Sequence, residues 1–165
     1  MLQQIRTRRS IRKFATDEID EQTIKQIIEM GTWAPSGHNN QPWKLVIIRD
    51  QDLKREVSLQ TKYSLVIQSA PVCIAVFLDH SQGYDRVKDI QATGAFIQNM
   101  LLAIHNLGLG GVWMGEILKN REAVEHILGV PEDCELMAVV AFGRPDEAKG
   151  PGSRKPVDQF VIGWK

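Results

Sequence analysis

The sequence predicts an α+β chain folded as a three-layer α/β/α sandwich, and three observations carry that expectation. Helix-periodic amphipathic segments alternate along the chain with short, wholly apolar runs. Four or five of those runs have strand length, and helices lying between buried strands must cover both faces of the sheet. The length of 165 residues suits one domain spanning residues 1–165, a size that buries roughly 68–70% of the unfolded surface.

A short N-terminal helix is expected to end at Arg8. Asp20 to Met30 reads as a helix, with Asp20 as N-cap, Ile19 and Ile24 as a hydrophobic staple and Gly31 as its stop. Its apolar face is Ile24, Ile27 and Ile28. Trp33 to Trp43 is a loop rich in Pro, Gly, Ser and Asn. Leu45–Ile48 is a short buried strand, and a charged helical segment follows. A second short helix ends near Ala70-Pro71, and Val72–Leu78 is an apolar strand. Lys88 to Leu107 is the longest helix. It is apolar on two stripes, one through Ile90, Ile97, Leu101 and Ile104 and one through Phe96, Met100, Ala103 and Leu107. A helix apolar most of the way round is buried on several sides, which in a chain this small points to a second subunit. Val112–Met114 is a strand, Arg121–Leu128 a helix capped by Asn120 and stopped by Gly129, and Leu136–Phe142 another strand. The tail, Gly143–Lys165, is basic and turn-rich and closes with a β-like run, Phe160-Val161-Ile162.

Lys+Arg and Asp+Glu both total 20, so the formal net charge is zero. That balance argues against a general nucleic-acid binder, which carries a basic excess. The longest uncharged apolar stretches, Ala70–Leu78 and Leu136–Phe142, are far below the about 20 residues that cross a bilayer. Cys73 and Cys134 lie in apolar runs outside any CxxC pattern, and no signal peptide is evident. Two reduced thiols in a cytoplasmic protein are expected. The four histidines, His38, His80, His105 and His126, show no metal-ligand spacing. His105 and His126 read as surface or packing residues on helices.

Four segments could carry chemistry. Arg8-Arg9-Ser10-Ile11-Arg12 sets three guanidinium forks and a hydroxyl within five residues, a donor set that matches a phosphate group. A solvated helix end explains it equally well. Ala34 to Trp43 contains the adjacent carboxamides Asn39, Asn40 and Gln41, each both donor and acceptor. An ordinary turn explains that loop too. Gly108-Leu109-Gly110 imitates a dinucleotide loop, but it follows a helix and lacks the third glycine. Gly115, at a strand end, allows backbone to approach a planar ligand. Gly152-Ser153-Arg154-Lys155-Pro156 adds two cations. There is no GxSxG elbow, P-loop or triad pattern, so chemistry borrowed from a cofactor is the natural expectation.

In this order, RRSIRKF (Arg8–Phe14), APSGHNNQPW (Ala34–Trp43), IQNMLLAIHNLGLGG (Ile97–Gly111) and FGRP…SRKP (Phe142–Pro156) resemble the nitroreductase family of flavin enzymes over essentially the whole chain. The resemblance implies a sandwich around a mixed, mostly antiparallel sheet, dimerised through long helices, with the C-terminal tail crossing to the partner. It implies FMN at the interface and NADH or NADPH as co-substrate. Arg8, Arg9, Ser10 and Arg12 match the family's contacts to phosphate, ribityl chain and ring edge. Pro35, Ser36 and Asn39, with Gln41 in the same motif, match the segment given by the partner subunit. Gly115 and Glu116 match the pair whose backbone lies beside the reactive flavin nitrogen, and Arg154 matches a phosphate-binding arginine with Lys155 as neighbour. Glutamate often stands in the family where Gly115 lies here. The family works in two half-reactions: NAD(P)H gives hydride and leaves, then a nitroaromatic, quinone or similar acceptor occupies the same face. The short stretch between Leu78 and Ile90, where larger relatives carry a lid, implies an open substrate face. A flavin-storing or sensing protein with little turnover, and a basic-arm nucleic-acid binder, stand as alternatives.

Overall fold

The computed structural model describes residues 2–165. Six helices, α1 (Leu2–Thr7), α2 (Glu21–Thr32), α3 (Gln51–Ser58), α4 (Ser64–Ser69), α5 (Arg86–Asn106) and α6 (Arg121–Leu128), surround four strands. The strands are β1 (Trp43–Ile48), β2 (Val72–Asp79), β3 (Gly110–Met114) and β4 (Cys134–Gly143), in the order β1-β2-β4-β3. All three strand pairings are antiparallel. Among the described residues the one parallel contribution is an isolated bridge between Ser10 and Gly111.

Alternation along β2 builds the three layers. Cys73, Ala75 and Phe77 face a core formed with Val57 of α3, Val66 and Ile67 of α4 and Val124 of α6. Val72, Ile74 and Val76 face the other core, with Ile24 and Ile27 of α2 and Phe96, Ile97, Met100 and Ile104 of α5. A period of two is what a strand buried on both faces requires. The register shifts between Val76 and Phe77, whose partners are Ala138 and Leu136, which leaves Met137 as the extra residue of a bulge.

Several local expectations hold and several are corrected. Asp20 caps α2 by accepting from Thr23 N–H at 2.8 Å, and Ile19 and Ile24 are both buried as a staple requires. Gly31 does not stop α2. It lies inside the helix, where a Cβ would fall 2.7 Å from the Phe96 ring and 2.9 Å from Met100 Cγ, so it is there for close helix–helix approach. Gly129 does stop α6, at φ 62. Asn120 makes no side-chain cap and instead donates its Nδ2 to Gln60 O at 2.9 Å. Phe160–Ile162 is no strand, because it meets no sheet edge; the tail forms a short 3-10 turn at Val157–Gln159 and is otherwise irregular.

Candidate functional site

Beyond α1 the chain runs beside β3. Ser10 bridges Gly111, and Ile11 N–H donates to Gly111 O at 3.1 Å. Gly110 permits this crossing, since a Cβ there would lie 2.7 Å from Ile11 Cβ. On its far side the same segment meets the chain leaving β4: Ala15 N–H donates to Arg144 O and Asp146 N–H to Lys13 O, both at 2.9 Å. The basic segment is therefore wedged between a strand and the tail, and its side chains have distinct fates.

Arg8 is partly buried, and its pKa is lowered by that burial, then by Arg154, then by Arg9. Arg154 and Arg9 thus lie near enough to disfavour charge on Arg8, which shares its cavity with Arg9, Lys149 and the carboxylate of Glu147. Arg9 is tied to backbone: Nη1 donates to Arg6 O and Arg8 O at 2.8 and 2.7 Å, and Nε to Gly150 O at 3.3 Å. Its role in this fold is to tether the tail. Arg12 is exposed; its N–H donates to Glu147 Oε1 at 2.6 Å, and Glu147 pairs with Lys149 at 2.7 Å. Arg154 and Lys155 are exposed.

Sequence reasoning passed over His105. It lines a cavity of about 250 Å³ together with Thr7, Arg8, Arg9, Gly110 and Lys149. Its Nε2 lies 2.8 Å from Thr7 Oγ1, whose own proton goes to Gln3 O at 2.9 Å. The Thr7 hydroxyl thus bridges Gln3 O and the ring, with its single proton serving one of the two according to the tautomer. Burial, then Arg8 and Arg9, lower the pKa of His105. No sequence spacing flags it, because helix α1 and the end of α5 meet only in the fold.

Gly115 follows β3, about 14 Å beyond Gly111 at about 3.4 Å per residue. A Cβ at Gly115 would meet nothing within 4 Å, so the strand end opens on free space. Glu116 begins a 3-10 turn, and its carboxyl is lowered to about 2 by the Lys119 ammonium at 2.7 Å and the Thr61 hydroxyl at 2.6 Å.

The loop of Pro35, Ser36, Asn39 and Gln41 lies elsewhere. Ser36 Oγ accepts from Gln41 N–H at 3.1 Å. His38, Asn39 and Gln41 have φ of 53, 56 and 47, a concentration of left-handed, non-glycine residues that a surrounding structure must hold in place. Asn40 does this: its Nδ2 donates to Asp89 Oδ1 at 2.9 Å and Gln82 O at 3.0 Å. Asp89 is buried at the start of α5 and also accepts from Tyr84 and Asp85 N–H. Burial alone would raise its pKa, but these donors, Asn40 foremost, hold it below the usual carboxylate range. The side chains of Asn39 and Gln41 stay exposed. At about 1.5 Å per residue, the length of α5 from Asp89 to His105 is about 24 Å. One chain therefore brings Arg8, Arg9, His105 and the start of β3 together at the C-terminal end of its longest helix and keeps the carboxamide loop at the other end.

The nitroreductase family profile matches residues 5–62 and 54–144. A protein of Methanothermobacter thermautotrophicus, provisionally assigned as an NADH dehydrogenase/NAD(P)H nitroreductase, is 33% identical over 96% of this chain and 83% of its own. The NADPH-flavin oxidoreductase of Vibrio harveyi is 27% identical over 97% of this chain and 72% of its own. Among solved structures, a provisionally assigned nitroreductase of Desulfovibrio desulfuricans in complex with FMN superposes with TM-score 0.94 and 39% identity, covering 99% of this chain and 96% of that one. The NADPH:FMN oxidoreductase of Vibrio harveyi complexed with NAD+ gives TM-score 0.93 at 25% identity, covering 99% and 76%. Profile, identity and backbone agree over nearly the full length, and the chain belongs to the nitroreductase family.

Proposed function

We propose that this chain is an FMN-dependent NAD(P)H oxidoreductase that reduces small acceptors such as nitroaromatics and quinones. One observation carries the assignment: a partly buried Arg8 gathers with Arg9 and Lys149 round one cavity and feels the charge of Arg154, at one end of a strand whose other end, Gly115, opens on free space. Clustered positive charge at one end suits a phosphate monoester, and bare backbone at the other suits a planar ring. The residues present therefore fit FMN. When bound, FMN supplies the redox chemistry, taking hydride from NAD(P)H and passing electrons to the acceptor.

In this reading Arg8 and Arg154 grip the phosphate, with Arg9 holding the tail that carries Arg154. Ser10 and Arg12 line the path toward the ring, and the backbone of Gly115 and Glu116 lies at its reactive end. Pro35, Ser36, Asn39 and Gln41 serve the site of a second copy, since along α5 their own chain holds them about 24 Å from the Arg8 and His105 end. Two surfaces support a homodimer. Leu102, Ala103 and Leu107 of α5 bound an apolar groove of about 460 Å³ with Met30, Gln4 and Gln26. The tail leaves Phe160, Ile162 and Trp164 exposed, apolar side chains that their own chain does not cover. Among the described residues no helix is long and apolar enough to cross a membrane.

The deciding measurement is the visible spectrum of purified protein, reconstituted with FMN and then mixed with NADH or NADPH without oxygen. Twin flavin bands that bleach and return on adding an acceptor support the reading. A protein that FMN cannot reconstitute overturns it. A yellow protein that NAD(P)H does not bleach would favour flavin storage instead.

A further inference from the structure

Glu116 stands next to the open Gly115, yet its carboxylate is committed to another part of the chain. Oε2 accepts from Thr61 Oγ1 at 2.6 Å and from Lys62 N–H at 3.2 Å, while Oε1 pairs with Lys119 at 2.7 Å. Four residues further on, Asn120 Nδ2 reaches Gln60 O at 2.9 Å. The turn that follows β3 thus grips three successive residues of the α3–α4 connection. Thr61 Oγ1 also accepts from Tyr63 N–H at 3.2 Å, which extends the grip to Tyr63.

That connection is not a neutral spacer. Leu59 and Leu65 are 72% and 78% exposed, and Tyr63 is exposed beside them. The Lys62 Nζ lies 5.2 Å from the centre of the Tyr63 ring. Lys119 has its carboxylate in Glu116, whereas Lys62 makes no ion pair among the described residues. The turn that follows Gly115 therefore holds in place a segment bearing an exposed tyrosine ring and one ammonium without an ion pair.

We propose that Glu116 is a positioning residue: it fixes the α3–α4 connection so that Tyr63 and Lys62 form one wall of the acceptor site, selecting planar aromatic acceptors that bear a negative charge. The inference rests on the placement of the reactive flavin end at Gly115. Tyr63 contributes a face against which an aromatic ring packs. Lys62 supplies a compact charge that an anionic substituent meets and a neutral one does not. Glu116, its carboxylate held by Thr61, Lys62 and Lys119, works as a strut between the end of β3 and that wall.

The test uses FMN-loaded protein without NAD(P)H, so that nothing turns over. Dissociation constants for 4-nitrobenzoate and 4-nitrobenzamide are measured by calorimetry at low salt. Wild type is expected to prefer the anion, and Lys62→Ala to lose that preference. Glu116→Ala, which frees the connection, is expected to cut the preference by up to about 100-fold, the worth of one lost charge-assisted hydrogen bond. Glu116→Gln, which keeps an oxygen for Thr61 and Lys62, should restore most of it. Hydrogen exchange at residues 59–63 should quicken in Glu116→Ala and not in Glu116→Gln. Equal binding of the two probes by wild type, or an anion preference that survives Lys62→Ala or Glu116→Ala, overturns the proposal. A chain that takes up no FMN overturns the flavin assignment instead, and exchange on the flavin-free chain still reports whether Glu116 holds the connection.

Discussion

Replacing Arg8 and Arg154 together with alanine should have opposite effects on flavin binding and on the flavin-free fold. A hydrogen bond to a charged group contributes about 1.5–3 kcal/mol, so two arginines on one phosphate contribute about 3–6 kcal/mol. At about 1.4 kcal/mol per decade, FMN affinity should fall by roughly 10²- to 10⁴-fold. In the flavin-free chain, Arg8 carries the cost of burial and of the like charge of Arg154 and Arg9. Removing both guanidinium groups relieves that repulsion, so the melting temperature of the apoprotein should hold or rise. The assays are titration of FMN and of riboflavin by fluorescence quenching, with thermal unfolding of the apoprotein alongside. FMN should weaken far more than riboflavin, which lacks the phosphate, and the difference should shrink as salt screens the wild-type site. FMN binding as tight as wild type would refute the phosphate assignment, and so would an equal loss for riboflavin. Arg9→Ala should behave differently: it removes three contacts to backbone carbonyls, so it should loosen the tail and lower stability.

Three further outcomes follow from the packing and the charges. His105 has a folded pKa below its ordinary value of about 6.5, so the unfolded chain takes the proton first. Apoprotein stability is then complete above that value and is lost as pH falls through it; urea midpoints on either side should show the loss, and His105→Gln should flatten it. Gly31→Val would push atoms into the Phe96 ring and Met100; overpacking of that kind costs about 1–3 kcal/mol, and at about 2–4 °C per kcal/mol a melting curve should show it. Asp89→Ala removes the acceptor of Asn40, Tyr84 and Asp85; hydrogen exchange over residues 37–41 should quicken, with a stability loss on the order of 3 kcal/mol.

Much of the fold was legible because period and caps are local. The Asp20 cap, the α6 stop at Gly129 and the two-sided burial of Val72–Leu78 all follow from neighbours in sequence. The misreadings share a cause, since each residue took its role from a distant partner. Gly31 looks like a helix stop and is a contact point for Phe96; Asn120 looks like a cap and binds Gln60. At the candidate site the donor types were legible and their division of labour was not. Nothing in RRSIR tells Arg8, which feels the charge of Arg154, from Arg9, tied to three carbonyls, and nothing in the long helix marks His105 as a neighbour of Thr7. Likewise, nothing near Glu116 in sequence marks Thr61 and Lys62 as the partners of its carboxylate.

Residues 8–15 lie between Gly111 on one side and Arg144–Asp146 on the other, so the two ends of the chain are stitched into one seam. During synthesis the first strip of that seam emerges early and finds no partner until β3, β4 and the start of the tail have been made. Contacts of such sequence separation form late, because a large loop must close before they contribute anything. The tail that carries Arg154 leaves from that seam. On the phosphate assignment proposed above, the site is complete only after the seam has closed, and a nascent or truncated chain would neither sequester the cofactor nor acquire its colour.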